Sequence, residues 1–232
     1  MLIQVSRLFS VMAVSLCFLC CVQAAGADAR PEESIVYDIK PLGGRAEYQD
    51  FGLVDLDGRQ VKLVVFTTRV MGFKDIEKIY GDPQTLLPVR VEREIRRWIS
   101  RESIVEAYDQ KAFTVTIRKF KGDKKIGEQV LSADGPIYNA ILLPFYLRKT
   151  LDAKVGWSFL FRLPQRFEAT LVSIDAIDVG GKAFSAYHFT GVPDKFEIWI
   201  SDDDLRVPVK IKGKGGFIYT LMMKEHNMSP VH

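Results

Sequence analysis

The sequence predicts a mainly β fold: a single curved antiparallel sheet, or an open β-barrel or half-barrel, with one helical segment at about 137–151 packed on it. Three observations carry this. Apolar and polar residues alternate with a period of two over several short runs. Turn signals recur between those runs. One apolar stretch breaks the alternation.

The alternation is clearest in Ala112 to Phe120, where Phe113, Val115 and Ile117 share one face and Thr114, Thr116 and Arg118 the other. Val207, Val209 and Ile211 alternate with Pro208, Lys210 and Lys212. Phe196, Ile198 and Ile200 alternate with Glu197, and Val89 and Val91 with Arg90 and Glu92. Between such runs stand Asp57-Gly58, Gly81-Asp82-Pro83, Lys121-Gly122-Asp123, Gly180-Gly181, Val192-Pro193-Asp194 and Gly213-Lys214-Gly215-Gly216. Glycine supplies the positive φ that tight hairpins need. About ten to twelve strands are expected on this count.

The exception is Ile137 to Leu151. Its front is almost wholly apolar, Asn139 can cap a helix, and Pro144 suits a first turn or a kink. Arg148 and Lys149 fall where cations favour a helix C-terminus. It reads as a helix or helix pair on a sheet face. Two runs, Val61 to Val70 and Phe217 to Met223, are apolar on both faces. They need cover on both sides, from a helix or from a cavity with apolar walls.

The N-terminus has the pattern of a secretory signal. Arg7 precedes an uncharged stretch, Leu8 to Val22, and Val22-Gln23-Ala24-Ala25 offers a small-residue cleavage site. Cleavage is expected after Ala24, with Ala27 and Ala29 as alternatives. The stretch is short for a membrane anchor, which needs about 20 apolar residues. No cysteine has the small residue before it that lipidation needs. The expected organisation is a signal peptide over 1–24, a disordered lead-in over 25–34, one β-rich domain over 35–226 and a flexible tail over 227–232.

All three cysteines, Cys17, Cys20 and Cys21, lie in the signal-like segment. The remaining chain is therefore expected to lack disulfides, thiolate metal sites and cysteine nucleophiles. Its length of about 208 residues is enough for one sizeable core. The net charge of +3 falls to about +2 without Arg7. That balance does not suggest a nucleic-acid partner or a polybasic membrane surface.

The search for catalytic patterns is negative. There is no nucleophile elbow, phosphate loop or dinucleotide fingerprint. His188 sits in a strand-like run between aromatics and reads as a packed or rim residue, while His226 and His232 fall in the polar tail. Ser201 to Asp204 reads as a solvated turn, since calcium-loop spacing is missing. Glu92 to Glu102 is a mixed-sign run, read as a solvated strand face and loop. No catalytic residue, metal or cofactor is expected.

Four segments carry a family resemblance: Gly44-Arg45-Ala46; Leu87-Pro88-Val89-Arg90; Tyr146-Leu147-Arg148 before Val155-Gly156; and Trp199-Ile200-Ser201-Asp202-Asp203 followed by Val207-Pro208-Val209-Lys210. Through them, about Tyr37 to Lys224 resembles the domain-of-unknown-function 3108 family of exported bacterial envelope proteins. The resemblance implies export and a β-rich fold and supplies no catalytic residues. In architecture the chain is also similar to periplasmic lipoprotein carriers, curved sheets with helices over a greasy cavity.

The expected role is non-catalytic binding of a hydrophobic or amphipathic ligand, a lipid or lipoprotein, in the periplasm or outer envelope. The expected ligand-facing residues are Ile141, Leu142, Phe145, Tyr146 and Trp199. The structural alternative is that the helix fills the sheet as ordinary core. One functional alternative is a module binding an envelope protein or polysaccharide through strand edges or Trp98 and Trp157. Another is a carboxylate-dependent hydrolase using Asp202 with Asp203, or Glu106 with Asp109.

Overall fold

The computed structural model describes residues 30–215 and 218–229. The signal-like segment, most of the lead-in, Phe217 and His232 lie outside the described residues. No described helix is long and apolar enough to cross a membrane.

The described residues form one antiparallel sheet of 14 strands and a single α-helix. Eight strands come first: β1 (Glu33–Lys40), β2 (Arg45–Leu56), β3 (Arg59–Val70), β4 (Phe73–Gly81), β5 (Pro88–Arg97), β6 (Ser100–Asp109), β7 (Thr114–Lys121) and β8 (Lys124–Ser132). The helix α1 (Leu143–Thr150) follows. Then come β9 (Ser158–Leu163), β10 (Gln165–Val179), β11 (Lys182–Val192), β12 (Phe196–Ser201), β13 (Pro208–Gly213) and β14 (Tyr219–Met228).

Each half is a meander of neighbouring hairpins, and β14 pairs with β1 to join them. The spatial order runs from β8 down to β1, then from β14 down to β9. The two ends of that order, β8 and β9, are not paired with each other, so the barrel is open.

The strand count exceeds the expectation because polar strands lack the apolar alternation. β8 is mostly exposed along its length, so its sequence carries little sign of a buried face. Its pairing with β7 satisfies the backbone without needing one. The Glu92 to Glu102 run, expected as a strand face and loop, belongs almost entirely to the paired strands β5 and β6. Only Trp98 and Ile99 form the turn. Phe113, expected to begin the inward face of its strand, stands before β7 with φ 53°.

The domain boundaries also differ from expectation. β1 begins at Glu33, inside the expected lead-in, and the backbone N–H of Glu32 donates to the Asp50 carbonyl at 2.7 Å. β14 runs to Met228, inside the expected tail, and Ser229 N–H donates to the Glu32 carbonyl at 2.8 Å. Composition reads both segments as polar, but their polar groups satisfy one another across the β1–β14 pair.

The helix is shorter than the apolar stretch that announced it. Residues 137–139 are not helical and a turn covers 140–142. The Asn139 side-chain oxygen accepts the N–H groups of Ile141 at 2.9 Å and Leu142 at 3.4 Å, so Asn139, expected to cap the helix, closes the turn before it, and the helix N-cap is Leu142 without a side-chain cap. Pro144 stands in the first helical turn, where its missing N–H costs nothing. Leu142, Leu143, Phe145, Tyr146 and Leu147 are all buried. They join two apolar clusters. One extends over β1 to β5 through Ile35, Tyr48, Val64 and Val91, and the other over β9 to β12 through Phe161, Leu171, Phe189 and Ile198.

One ion pair fixes the helix to the β1–β14 seam. Arg148 donates to both carboxylate oxygens of Glu33, at 2.7 and 2.8 Å. His226 Nε2 lies 3.0 Å from the same carboxylate. Burial pushes the Glu33 carboxyl up, but the hydrogen bonds and charges of Arg148 and His226 outweigh it and hold it below its ordinary value. The Arg148 guanidinium also sits 5.0 Å above the Phe145 ring, which stacks on Tyr48 at 3.8 Å.

Replacing Arg148 by Met strands a buried carboxylate and is expected to cost about 3–5 kcal/mol. Adding Glu33→Gln should recover part of that loss. Urea unfolding of both variants measures it, and equal stability of the single variant and wild type would contradict the assignment.

Candidate functional site

The helix does not fill the concave face of the sheet. A cavity of about 450 Å³ remains beside it, walled by Tyr37, Ile39, Phe145, Phe196, Ile211 and Leu221. A second cavity of about 510 Å³ adjoins it. Phe66, Thr68, Ala140, Ile141, Leu163 and Tyr219 line both, so the two are halves of one lumen.

The halves differ in chemistry. The second is lined by Asp75, Glu77, Arg93, Glu106, Tyr108 and Asn139. Strand register explains the gathering. Asp75 and Glu77 share the inward face of β4 with the buried Ile79, and Arg93 shares that of β5 with Val91 and Ile95. Glu106 lies opposite Val91 on β6. Each of these strands thus carries charge on the face that elsewhere carries core.

The charges are largely engaged with one another. Arg93 Nε donates to Asp75 at 2.9 Å and lies 3.7 Å from Glu77. Asn139 donates its amide to Glu77 at 3.2 Å, and the Tyr108 hydroxyl donates to Glu106 at 2.5 Å. Burial pushes the Glu77 carboxyl up to about 7, aided by the Glu106 and Asp75 charges and opposed by Arg93 and Asn139. Burial and the Glu106 carboxylate push the Tyr108 hydroxyl far up, so it remains a donor.

Of the expected ligand-facing residues, Ile141 and Phe145 line the apolar half. Ile141 does so from the turn before the helix and Phe145 from the helix itself. Leu142 is enclosed in core, and Tyr146 is buried with its hydroxyl donating to the Leu86 carbonyl at 2.5 Å. Trp199 is turned away from the lumen. It occupies the opposite face of β12 from Ile198 and Ile200, stacked on His188 at 4.2 Å, with the Lys210 ammonium 4.1 Å over its ring. A strong alternating pattern revealed the strand but not which of its faces looks inward.

Of the expected carboxylate pairs, Asp202 accepts from the Tyr187 hydroxyl. Asp203 accepts the N–H groups of Leu205 and Arg206, at 3.1 and 2.9 Å, and shapes the turn after β12. Asp109 accepts the N–H groups of Lys111 and Ala112 at 2.9 Å, whereas Glu106 points into the lumen. Among the described residues, no group of three or more His, Cys, Asp or Glu side chains could hold a metal ion.

Asp75 and Glu77 carry no pattern that marks them in the sequence, and Arg93, expected with the Glu92 to Glu102 run on a solvated strand face, faces the lumen instead. The available signal was parity. Arg93 shares its alternation with Val91 and Ile95, which marks an arginine on an otherwise apolar strand face.

No family model and no curated protein matches the chain. Among solved structures, it is similar to a β-barrel-like protein of domain of unknown function DUF1849 from Brucella abortus. The TM-score is 0.49 at 8% identity, covering 87% of this chain and 99% of that one. The fold is a β-rich open barrel.

The Glu77 assignment predicts a pH effect. The folded chain holds the Glu77 proton up to about pH 7, while an unfolded chain releases it near 4.5. Folding therefore takes up a proton in that window, and the Glu77 contribution to stability falls as pH rises through it. Glu77→Gln removes this term. The stability of wild type relative to Glu77→Gln should decline from pH 4.5 to 7 in urea titrations, and a flat difference would refute the raised value.

Proposed function

We propose that this chain is an exported bacterial envelope protein that binds a hydrophobic or amphipathic ligand, such as a lipid or the acyl part of a lipoprotein, without catalysing a reaction on it. The observation that carries this reading is the apolar cavity of about 450 Å³ left between α1 and the sheet. Sites for small ligands typically occupy about 300–1,000 Å³ and have mostly apolar walls with a few polar groups. Each methylene buried there would contribute about 0.8 kcal/mol.

The wall also suggests how an amphipathic guest would lie. Its tail fits against Phe145, Ile211 and Leu221, while Lys195 and Lys212 supply cations at the cavity wall. The lumen's carboxylates are engaged with Arg93, Asn139 and Tyr108, a better fit to a polar lining than to an acid–base pair. Export rests on the signal-like pattern of residues 1–24.

Native mass spectrometry of protein purified from its host envelope should show a copurified lipid. A fluorescent fatty-acid probe should bind the lipid-stripped protein in free solution. Ile141→Trp, which fills space shared by both halves, should weaken the probe at least about tenfold without lowering the melting temperature. Absence of both lipid and probe binding in wild type would overturn the proposal.

A further inference from the structure

The antiparallel strands place their turns at two ends of the barrel, and the ends differ. The turns 41–44, 71–72, 98–99, 122–123 and 193–195 share one end with residues 214–215, which follow β13, and Ile218, which precedes β14. Asp57, Asp82 and the Asp202–Asp204 turn belong to the other. The helix also belongs to that second end. Tyr146 donates to the Leu86 carbonyl at 2.5 Å, Lys149 to that of Gln84, and Arg206 to that of Leu151 at 3.3 Å.

The first end carries exposed apolar tips. Met71 is 89% exposed, Trp98 79% and Ile99 100%. Leu42, in the turn after β1, Val192, at the end of β11, and Ile218, just before β14, are also exposed at this end. Scattered singly, such residues need no explanation, but their concentration at one end does. The two most prominent tips are built together. Gly72, at φ 72°, lies directly against the Trp98 indole, and a side chain at position 72 would collide with the ring. The 71–72 turn thus supports the tryptophan.

This end is also basic. The charged residues that terminate strands here, Lys40, Arg45, Arg97, Lys121 and Lys124, are all cations, and all are exposed. The turns themselves hold the acids Asp123 and Asp194, and Lys214 pairs with Asp194 at 2.7 Å. Glu94 and Glu102 lie further along the strands, where they engage Arg96, Arg101 and Arg97. Finally, the apolar half of the lumen reaches this end, since Leu42, Lys195, Gly213 and Tyr219 line it.

We infer that this end docks on the surface of an anionic phospholipid bilayer, with Trp98, Ile99 and Met71 entering the interface and the basic strand ends facing the headgroups. Tryptophan favours the membrane–water interface, and each Lys or Arg near an anionic leaflet adds attraction. A protein partner would need a complementary acidic surface with a socket for three separate tips, whereas a bilayer accepts them in any arrangement. The inference extends the proposed function. It places the mouth of the ligand site against the membrane from which a lipid would enter.

The test uses the chain from Ala25, which retains every strand and the helix. Cosedimentation is measured with phosphatidylcholine vesicles, with and without phosphatidylglycerol. Wild type should bind the phosphatidylglycerol vesicles, lose affinity with salt, and show Trp98 emission quenched by bromine-labelled acyl chains. The pair Trp98→Ser with Ile99→Ser, and separately Lys121→Glu with Lys124→Glu, should each weaken binding about tenfold or more. Leu205→Ser, at the opposite end, should bind like wild type. Circular dichroism checks that each variant is folded. Equal binding to both vesicle types, binding without quenching of Trp98, or wild-type affinity in the tip variants would overturn the inference. Fatty-acid probe binding in vesicle-free solution separates the two ideas: it survives if only docking is wrong and fails if the lumen reading is wrong.

Discussion

The pairing of Glu33 with Arg148 ties the helix to the seam along which β1 and β14 pair. Glu33 opens β1, Arg148 closes the helix, and His226 adds β14 to the same carboxylate. The sheet is a single open surface with unpaired ends, so nothing in its strand order requires it to wrap around anything. The helix supplies the reason. It lies on the concave side and joins the apolar cluster of the first meander to that of the second. The ion pair sets its position along the seam, and the stack of Arg148, Phe145 and Tyr48 sets its rotation. Buried pairs of this kind contribute little net stability compared with apolar packing, but they penalise misplacement heavily.

That position determines the lumen. Leu142, Tyr146 and Leu147 are committed to the two clusters, while Ile141, Leu143, Pro144 and Phe145 line the space beyond. A helix of eight residues is too short to cover a sheet of fourteen strands, and the uncovered part of the concave face becomes cavity. Beside β4 to β6 the sheet offers charge instead of core, and the cavity there is polar. The apolar and polar halves follow from which residues share the inward parity of their strands.

How much of this was legible follows from the same geometry. Alternation in 112–120 and 196–212 announced strands because each has one wet face and one dry face. Pro144, Asn139 and Arg148 announced the helix through capping and dipole rules that depend only on neighbours in sequence. β8 was obscured because an exposed edge strand needs no apolar face. Trp199 was misplaced because period two identifies two faces without saying which is inside. Glu33 and His226 are far apart in sequence, and only the β1–β14 pairing shows that two polar termini make one buried site. The Asp75, Glu77 and Arg93 group was hidden for a related reason. Its members are unremarkable surface charges until register turns all three inward.

The distribution of charge constrains the guest as much as the apolar volume does. In the polar half, Asp75, Glu77 and Glu106 outnumber the single cation Arg93, so an anionic group driven deep into the lumen would meet carboxylates in a poorly solvated space. The cations lie elsewhere, with Lys195 and Lys212 on the apolar cavity and the basic strand ends around its mouth. Under the proposed function, an anionic amphiphile would therefore bind tail inward, with its head at the basic end. Such a molecule leaves a bilayer head first, so tail-first binding requires it to turn at the mouth, where the basic strand ends would hold its head while the tail passes into the apolar half.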